Sequence, residues 1–223
     1  MSKLFKNGIN SNQGSIKKLR DNFFELFEEL HCSTGQIQEV FDKLVKNYST
    51  NDRCYHNLEH INIFLNDLNE YQHMTKDLNT IQMAVWFHDV IYDTKSFDNE
   101  DKSASYAIKT LKELNVLPEI INQVEILILA TKKHEPLSEN IDLRLFLDCD
   151  LLILGASEKV YDRYAESIRR EYSWVSEQKY RDGRISILEN FLQREKIYLT
   201  SDIYKTFEAQ ARFNIARELI KLK

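Results

Sequence analysis

The sequence predicts an all-α protein, a single-domain helical bundle, and two observations carry this prediction. Glycine and proline, which supply most tight turns between strands, occur only five times and twice in 223 residues. Both are absent from 36–117 and from 184–223. Apolar side chains recur at steps of three and four residues, which is the spacing of one face of an α-helix.

The helices follow one another along the chain. The first is predicted behind a candidate cap, Ser15, and its apolar residues are Ile16, Leu19, Phe23, Leu26, Phe27 and Leu30. The second is defined by Ile37, Val40, Phe41, Leu44, Val45 and Tyr48. Further helices are predicted over 55–71, 77–89, 99–114, 118–131, 142–154, 157–194 with a break near Gly183, and 201–222. Residues 1–14, rich in Asn, Ser and Gly, are predicted to form a mobile tail, which leaves 15–223 as one domain.

Composition narrows the class of partner. The formal charge is 30 minus 35, or −5, and no cluster of Lys and Arg indicates binding to nucleic acid. No segment has the apolar length of a bilayer span, and no signal-like block begins the chain, so we expect a cytoplasmic protein without a membrane partner. Three Cys without C-x-x-C spacing favour reduced thiols over disulfides.

The segment RCYHNLEHINIFL, residues 53–65, contains the first candidate site residues. On a helix, His56 and His60 would lie on one face with Phe64 and point into the apolar core. Two inward imidazoles need partners, and these are either hydrogen-bonding groups or a metal ion. The same letters fit the H-x-x-E-H pattern of one metalloprotease class, in which Glu59 would act on a water.

Two further segments place charged residues where apolar ones are expected. In MAVWFHDVIYD, His88 and Asp89 follow an unbroken apolar run, and burial of a carboxylate requires a cation or strong donors. An ion pair with Arg or Lys would meet this need, but the adjacent His favours a metal. In LRLFLDCDLLILG, Asp150 takes a position on the leucine stripe, whereas Asp148 lies on another face.

These residues together form a plausible ligand set for a divalent ion. Imidazole nitrogens with carboxylates are harder than the thiolates of structural zinc and softer than an all-oxygen cage. The identity of the metal is therefore left open among Mn, Fe, Zn, Ni, Co and Mg.

The ordered motifs H-x-x-x-H, F-H-D, T-x-x-H and D-x-D-L resemble the HD superfamily of metal-dependent phosphohydrolases. The resemblance implies a helical bundle of the HD-domain type in which His60, His88, Asp89 and Asp150 bind a metal. The string YHNLEH is similar to the start of the cyclic-nucleotide phosphodiesterase branch, which implies that His56 is the general acid and His60 a ligand. Beyond these motifs, most of the chain after residue 53 resembles a group of bacterial predicted HD phosphohydrolases.

The expected activity is hydrolysis of a small phosphorylated substrate, with nucleotides among the candidates. A metal-bound water would attack phosphorus, Asp89 would bridge a second ion or accept the water's proton, and His56 would protonate the leaving oxygen. Residues expected to orient ligands or bind a second metal are Glu100, His134 and Asp148. Residues expected to contact the substrate phosphate are Arg53, Lys132, Lys133 and Arg184.

Two alternatives stay open at this point. A metalloprotease would use Glu59 as base and Glu125 or Glu135 as third ligand, but it leaves His88, Asp89 and Asp150 without a role. A non-catalytic metal- or nucleotide-binding HD module would keep the ligands for regulation.

Overall fold

Ten α-helices and two short 3-10 helices make up most of the computed structural model, which describes residues 12–27, 33–135 and 138–223. The α-helices are α1 (Asn12–Glu25), α2 (Thr34–Tyr48), α3 (Leu58–Glu70), α4 (Leu78–Phe87), α5 (Asn99–Glu113), α6 (Pro118–Ala130), α7 (Ile141–Asp150), α8 (Glu158–Glu171), α9 (Glu177–Gln193) and α10 (Ser201–Leu222). The 3-10 helices are Gln72–Met74 and Leu152–Gly155. No described residue lies in a strand, which confirms the predicted all-α class.

The described residues up to Leu147 form one compact unit, in which α4 is the central helix. Every residue from Thr80 to Phe87 is buried, because α4 packs against α3, α5 and α6. Trp86 lies edge-on to Phe23 and Phe41, at ring-centroid distances of 5.1 and 5.9 Å. The apolar run before His88 is therefore a helix buried on all sides.

Residues 148–223 form a second compact unit, in which α10 packs against α9 and the 3-10 helix Leu152–Gly155. The Asn214 side chain of α10 donates to the carbonyl oxygens of Leu154 and Ala156, at 2.9 and 2.8 Å. The Tyr198 hydroxyl donates to the carbonyl oxygen of Leu151 at 3.1 Å. These bonds satisfy the backbone where the chain leaves α7.

Several predicted boundaries are wrong, and the local contacts explain why. The break predicted near Gly183 lies instead between α8 and α9, where Arg169 donates to the carbonyl oxygens of Tyr172 and Val175 and holds the turn. Gly183 is inside α9. The helix predicted over 142–154 ends as an α-helix at Asp150 and continues as a 3-10 turn.

The first helix also begins at a different residue from the one predicted. Helix α1 begins at Asn12, before the candidate cap at Ser15, and most of the predicted tail lies in residues 1–11, outside the described part. Leu30 likewise lies outside it. One domain over 15–223 stays a prediction. Among the described residues, no helix is both long enough and apolar enough to cross a bilayer.

Candidate metal centre

His60 is placed in the core by the way α3 begins. The side chain of Asn57 caps the helix, since its Oδ1 accepts from the backbone N–H of Glu59 at 2.8 Å and of His60 at 3.4 Å. This start turns Glu59 toward solvent and His60 inward, where it is 6% exposed. One Asn therefore fixes the direction of the first candidate ligand.

His88 is the C-cap of α4 and is 1% exposed. Its Nδ1 lies 2.9 Å from the carbonyl oxygen of Val85. A carbonyl can only accept, so Nδ1 carries the hydrogen and a neutral ring presents the lone pair of Nε2 on its other side. Metal-binding histidines are oriented in this way, with the second ring nitrogen donating to a carbonyl or carboxylate.

The two imidazoles meet through their Nε2 atoms, which are 3.2 Å apart. The Oδ2 atom of Asp89 lies 3.0 Å from Nε2 of His88 and 4.0 Å from Nε2 of His60. Lone pairs and a carboxylate at this spacing repel one another unless a proton or a metal ion lies among them. With metal–nitrogen bonds of about 2.0–2.1 Å, two nitrogens 3.2 Å apart subtend roughly 100° at the ion, an angle within the range of zinc and related metals.

Asp150 joins these histidines. It is the last residue of α7, and one ligand atom each from His60, His88 and Asp150 lie within 4.8 Å of one another. Phe146, one turn earlier on α7, packs against Phe64 and His88 at centroid distances of 5.2 and 6.1 Å. The described chain therefore has a three-residue group that can hold a metal ion. Asp89, adjacent to both histidines, is not part of this group, and its role as a fourth ligand stays a prediction.

His56 does not lie on α3, contrary to the prediction. It is in the turn before the helix, half-buried, with its ring stacked on Tyr92 at a centroid distance of 4.2 Å and an interplanar angle of 30°. Its ring centroid lies 6.0 Å from that of His60. His56 is thus beside the metal group without belonging to it. The metalloprotease hypothesis needs it as a ligand, and this geometry gives that hypothesis no support.

Two arginines predicted to contact phosphate are buried and already bonded. Arg53 is 7% exposed and donates to backbone carbonyl oxygens around the site. Arg184 is equally buried and forms a two-bond ion pair with Glu218, at 2.9 and 3.1 Å. Tyr161 donates to the same carboxylate at 2.6 Å. Both guanidinium groups are therefore bonded within the protein, and their contact with a substrate phosphate stays a prediction.

The remaining predicted residues lie outside the metal group. Asp148 is fully buried, and its carboxylate accepts three hydrogen bonds of 2.7 Å, from the backbone N–H groups of Leu199 and Thr200 and the Thr200 hydroxyl. Burial raises the pKa of Asp148 to about 6, although these donors oppose the shift. Asp148 is thus an anchor for the start of α10, and its buried carboxylate has partners without a metal.

The other four predicted residues, Glu100, His134, Lys132 and Lys133, lie at or just beyond the ends of helices. Glu100 is in the first turn of α5, where a carboxylate stabilises the helix dipole. His134 follows α6 with a left-handed φ of 48°. Lys132 forms an exposed ion pair with Asp101 at 2.7 Å, and Lys133 is exposed.

Sequence reasoning missed Tyr92, because a tyrosine in a loop gives no periodic signal. It also missed Asp67 on α3, which is 2% exposed. The sequence did contain a signal there, since Asp67 is seven residues after His60 and so lies on the same helix face.

Comparison with known proteins gives no relative: no family model, no curated protein and no solved structure matches the chain. The resemblance to the HD superfamily therefore stays a prediction from motifs.

Proposed function

We propose that this protein is a metal-dependent phosphohydrolase that acts on a small phosphate ester or nucleotide. The convergence of His60, His88 and Asp150 carries the proposal, because it places two imidazole nitrogens 3.2 Å apart beside a carboxylate in a buried position. The imidazole nitrogens favour Fe, Co, Ni or Zn over Mg, and the carboxylates also admit Mn. Asp89 is proposed as the fourth ligand, on account of its 3.0 Å contact with His88.

A bound divalent ion supplies a water of pKa about 7 and polarises a phosphoryl oxygen. The chain's own contribution is to orient the reacting groups. Tyr92 holds the ring of His56 by stacking, so that the imidazole is fixed beside the metal group and can give a proton to the leaving oxygen. Asp89 would accept the proton of the attacking water.

The substrate phosphate needs a cation other than Arg53 and Arg184. We propose Lys133 for this contact, because it is exposed in the turn that follows α6. Removal of Lys133 is expected to raise KM more than it lowers kcat, because it removes binding that ground state and transition state share.

The test measures bound metal and the hydrolysis of a phosphodiester, a phosphomonoester and a nucleotide panel. We expect His60→Ala and His88→Ala to lose the metal and all turnover. His56→Ala is expected to keep the metal and lose about 10²–10⁴-fold in kcat, the usual contribution of a general acid. His73→Ala is the matched control, since His73 is exposed in the 3-10 helix after α3.

Three results would contradict the proposal. A parent protein that binds no divalent ion would show that the histidines and Asp89 form only an ion pair. Metal binding without turnover of any phosphate ester would favour a regulatory module. Peptide cleavage abolished by Glu59→Gln would establish a metalloprotease.

A further inference from the structure

Arg53 is a buried cation, 7% exposed. Among the described residues, no carboxylate forms an ion pair with it. The guanidinium lies over the rings of Tyr48 and Tyr92, at 4.9 and 5.5 Å from their centroids. Burial of an arginine without a counter-ion is costly, so its remaining contacts must compensate for the lost hydration.

Those contacts are backbone carbonyl oxygens from two separate segments. Nη1 donates to the carbonyl of His56 at 3.0 Å and to that of Asp89 at 2.6 Å. Nη2 donates to the carbonyl of Val90 at 3.0 Å. A cation that caps carbonyls just beyond the end of α4 is also favoured by the helix dipole. One guanidinium therefore joins the turn before α3 to the end of α4.

These segments carry different parts of the site. The turn before α3 contains His56. The segment after α4 contains Asp89 and also Tyr92, on whose ring His56 stacks. Arg53 touches the backbone on both sides and the Tyr92 ring itself. Its planar fork can make such contacts simultaneously, which a lysine ammonium cannot do in the same geometry.

We propose that Arg53 is a positioning residue that fixes His56 and Asp89 relative to each other. This inference rests on the proposed function for its kinetic consequence, but not for its effect on metal affinity. Without Arg53, the carbonyls lose their common donor and the stack of His56 on Tyr92 loosens. The carboxylate of Asp89 is then no longer held 3.0 Å from Nε2 of His88. Changes at residues that orient metal ligands lower metal affinity or activity by about 10–100-fold.

The experiment compares Arg53→Met and Arg53→Lys with a matched control, Arg212→Met. Arg212 also donates to three backbone carbonyls, those of Leu192, Arg194 and Glu195 at 3.0, 2.7 and 3.1 Å, but all of these belong to residues 148–223. Affinity for Mn²⁺ is measured by titration calorimetry and stability by urea unfolding. We expect Arg53→Met to weaken Mn²⁺ binding by about tenfold or more, Arg53→Lys to be intermediate, and Arg212→Met to lower stability without changing Mn²⁺ affinity.

A double-mutant cycle tests whether Arg53 acts through His56. In the parent background, Arg53→Met is expected to lower kcat by about 10–100-fold with little change in KM. In the His56→Ala background the same change should lower kcat much less, because the group that Arg53 positions is already absent.

Two outcomes would overturn the proposal: unchanged Mn²⁺ affinity in a folded Arg53→Met, or a loss in kcat that adds fully to that of His56→Ala. Failure of the proposed function has a different signature, in which the parent binds Mn²⁺ but hydrolyses no phosphate ester. In that case the Mn²⁺ titrations still decide whether Arg53 positions the site.

Discussion

The carboxyl group of Asp67 in α3 is buried, and the described residues leave one of its two oxygen atoms without a hydrogen bond. Its side chain is 2% exposed, and Oδ2 has no hydrogen-bond partner. Burial, and secondarily the charge of Glu70, raises the pKa of Asp67 to about 7. The folded protein therefore holds a proton on Asp67 at pH values where the unfolded chain, with a pKa of about 3.9, has lost it.

This difference in proton binding predicts the pH dependence of stability. Between about pH 4 and pH 7 only the unfolded carboxyl is ionised, so the free energy of unfolding falls as pH rises through this window and levels off above it. A shift of about three pKa units corresponds to roughly 4 kcal/mol. Asp67→Asn is expected to match the parent near pH 4 and to be more stable at pH 8, as measured by urea unfolding across pH.

The control for this prediction is Asp52→Asn, since Asp52 is exposed in the turn after α2. It should follow the parent at every pH. If the difference between Asp67→Asn and the parent does not grow with pH, the Asp67 carboxyl is ionised in the folded protein and has a partner in solution.

At the scale of the secondary-structure elements, Gly155 permits the close approach of α10 to the 3-10 helix Leu152–Gly155. A Cβ atom at Gly155 would lie 2.7 Å from Cβ of Phe207 and 2.9 Å from the Tyr198 hydroxyl. Neither neighbour can move freely, because one contact is at the root of a side chain and Tyr198 is hydrogen-bonded to Leu151. Gly155→Ala is therefore expected to lower the free energy of unfolding by about 1–3 kcal/mol, measured by urea unfolding.

Gly183 is the matched control within the same unit. It is inside α9, and a Cβ atom there would meet nothing within 4 Å. Gly183→Ala should raise stability by about 0.5–1 kcal/mol, since alanine loses less backbone entropy in a helix interior. Equal stability of Gly155→Ala and the parent would show that α10 can move away from the 3-10 helix at no cost.

The sequence predicted the presence of helices better than the residues at which they end, as Gly183 shows. Apolar periodicity marks a helix that packs on a core, so α2, α5, α6 and α10 were predicted to within a few residues. The break between α8 and α9 depends on Arg169 bonding to carbonyls of the turn, a tertiary detail with no periodic signal. Gly183 suggested a break only because helix propensity was weighed without packing.

The candidate site was predictable to the extent that its residues violate an apolar pattern. His60, His88 and Asp150 each stand where an apolar residue is expected, and the structure brings these three together. Arg53 and Arg184 were predicted to contact phosphate from their charge and, for Arg53, from its position beside the histidines. Neither signal distinguishes a surface group from a buried donor to carbonyls or carboxylates. The sequence therefore predicted which polar residues converge in the core better than it predicted the contacts of the charged residues around them.

At the scale of the whole molecule, a metal that binds only the folded chain must stabilise it. The stabilisation is RT ln(1 + [metal]/Kd), which is about 2.7 kcal/mol at a free metal concentration of 100 Kd. For a protein of this size each kcal/mol raises Tm by roughly 2–4 °C. We expect Mn²⁺ at 100 Kd to raise the Tm of the parent by roughly 5–10 °C.

The increase in Tm should require the pair of histidines, and it should not occur with every divalent ion. His88→Ala removes Nε2, which lies 3.2 Å from that of His60, and is expected to abolish the shift in Tm, whereas exposed His73→Ala should keep it. Ca²⁺, which prefers six to eight oxygen ligands, should give little shift at the same concentration. A shift in Tm that persists in His88→Ala would show that the ion binds elsewhere in the chain. If the parent itself shows no shift in Tm, a proton and not a metal holds the two imidazoles and Asp89 together.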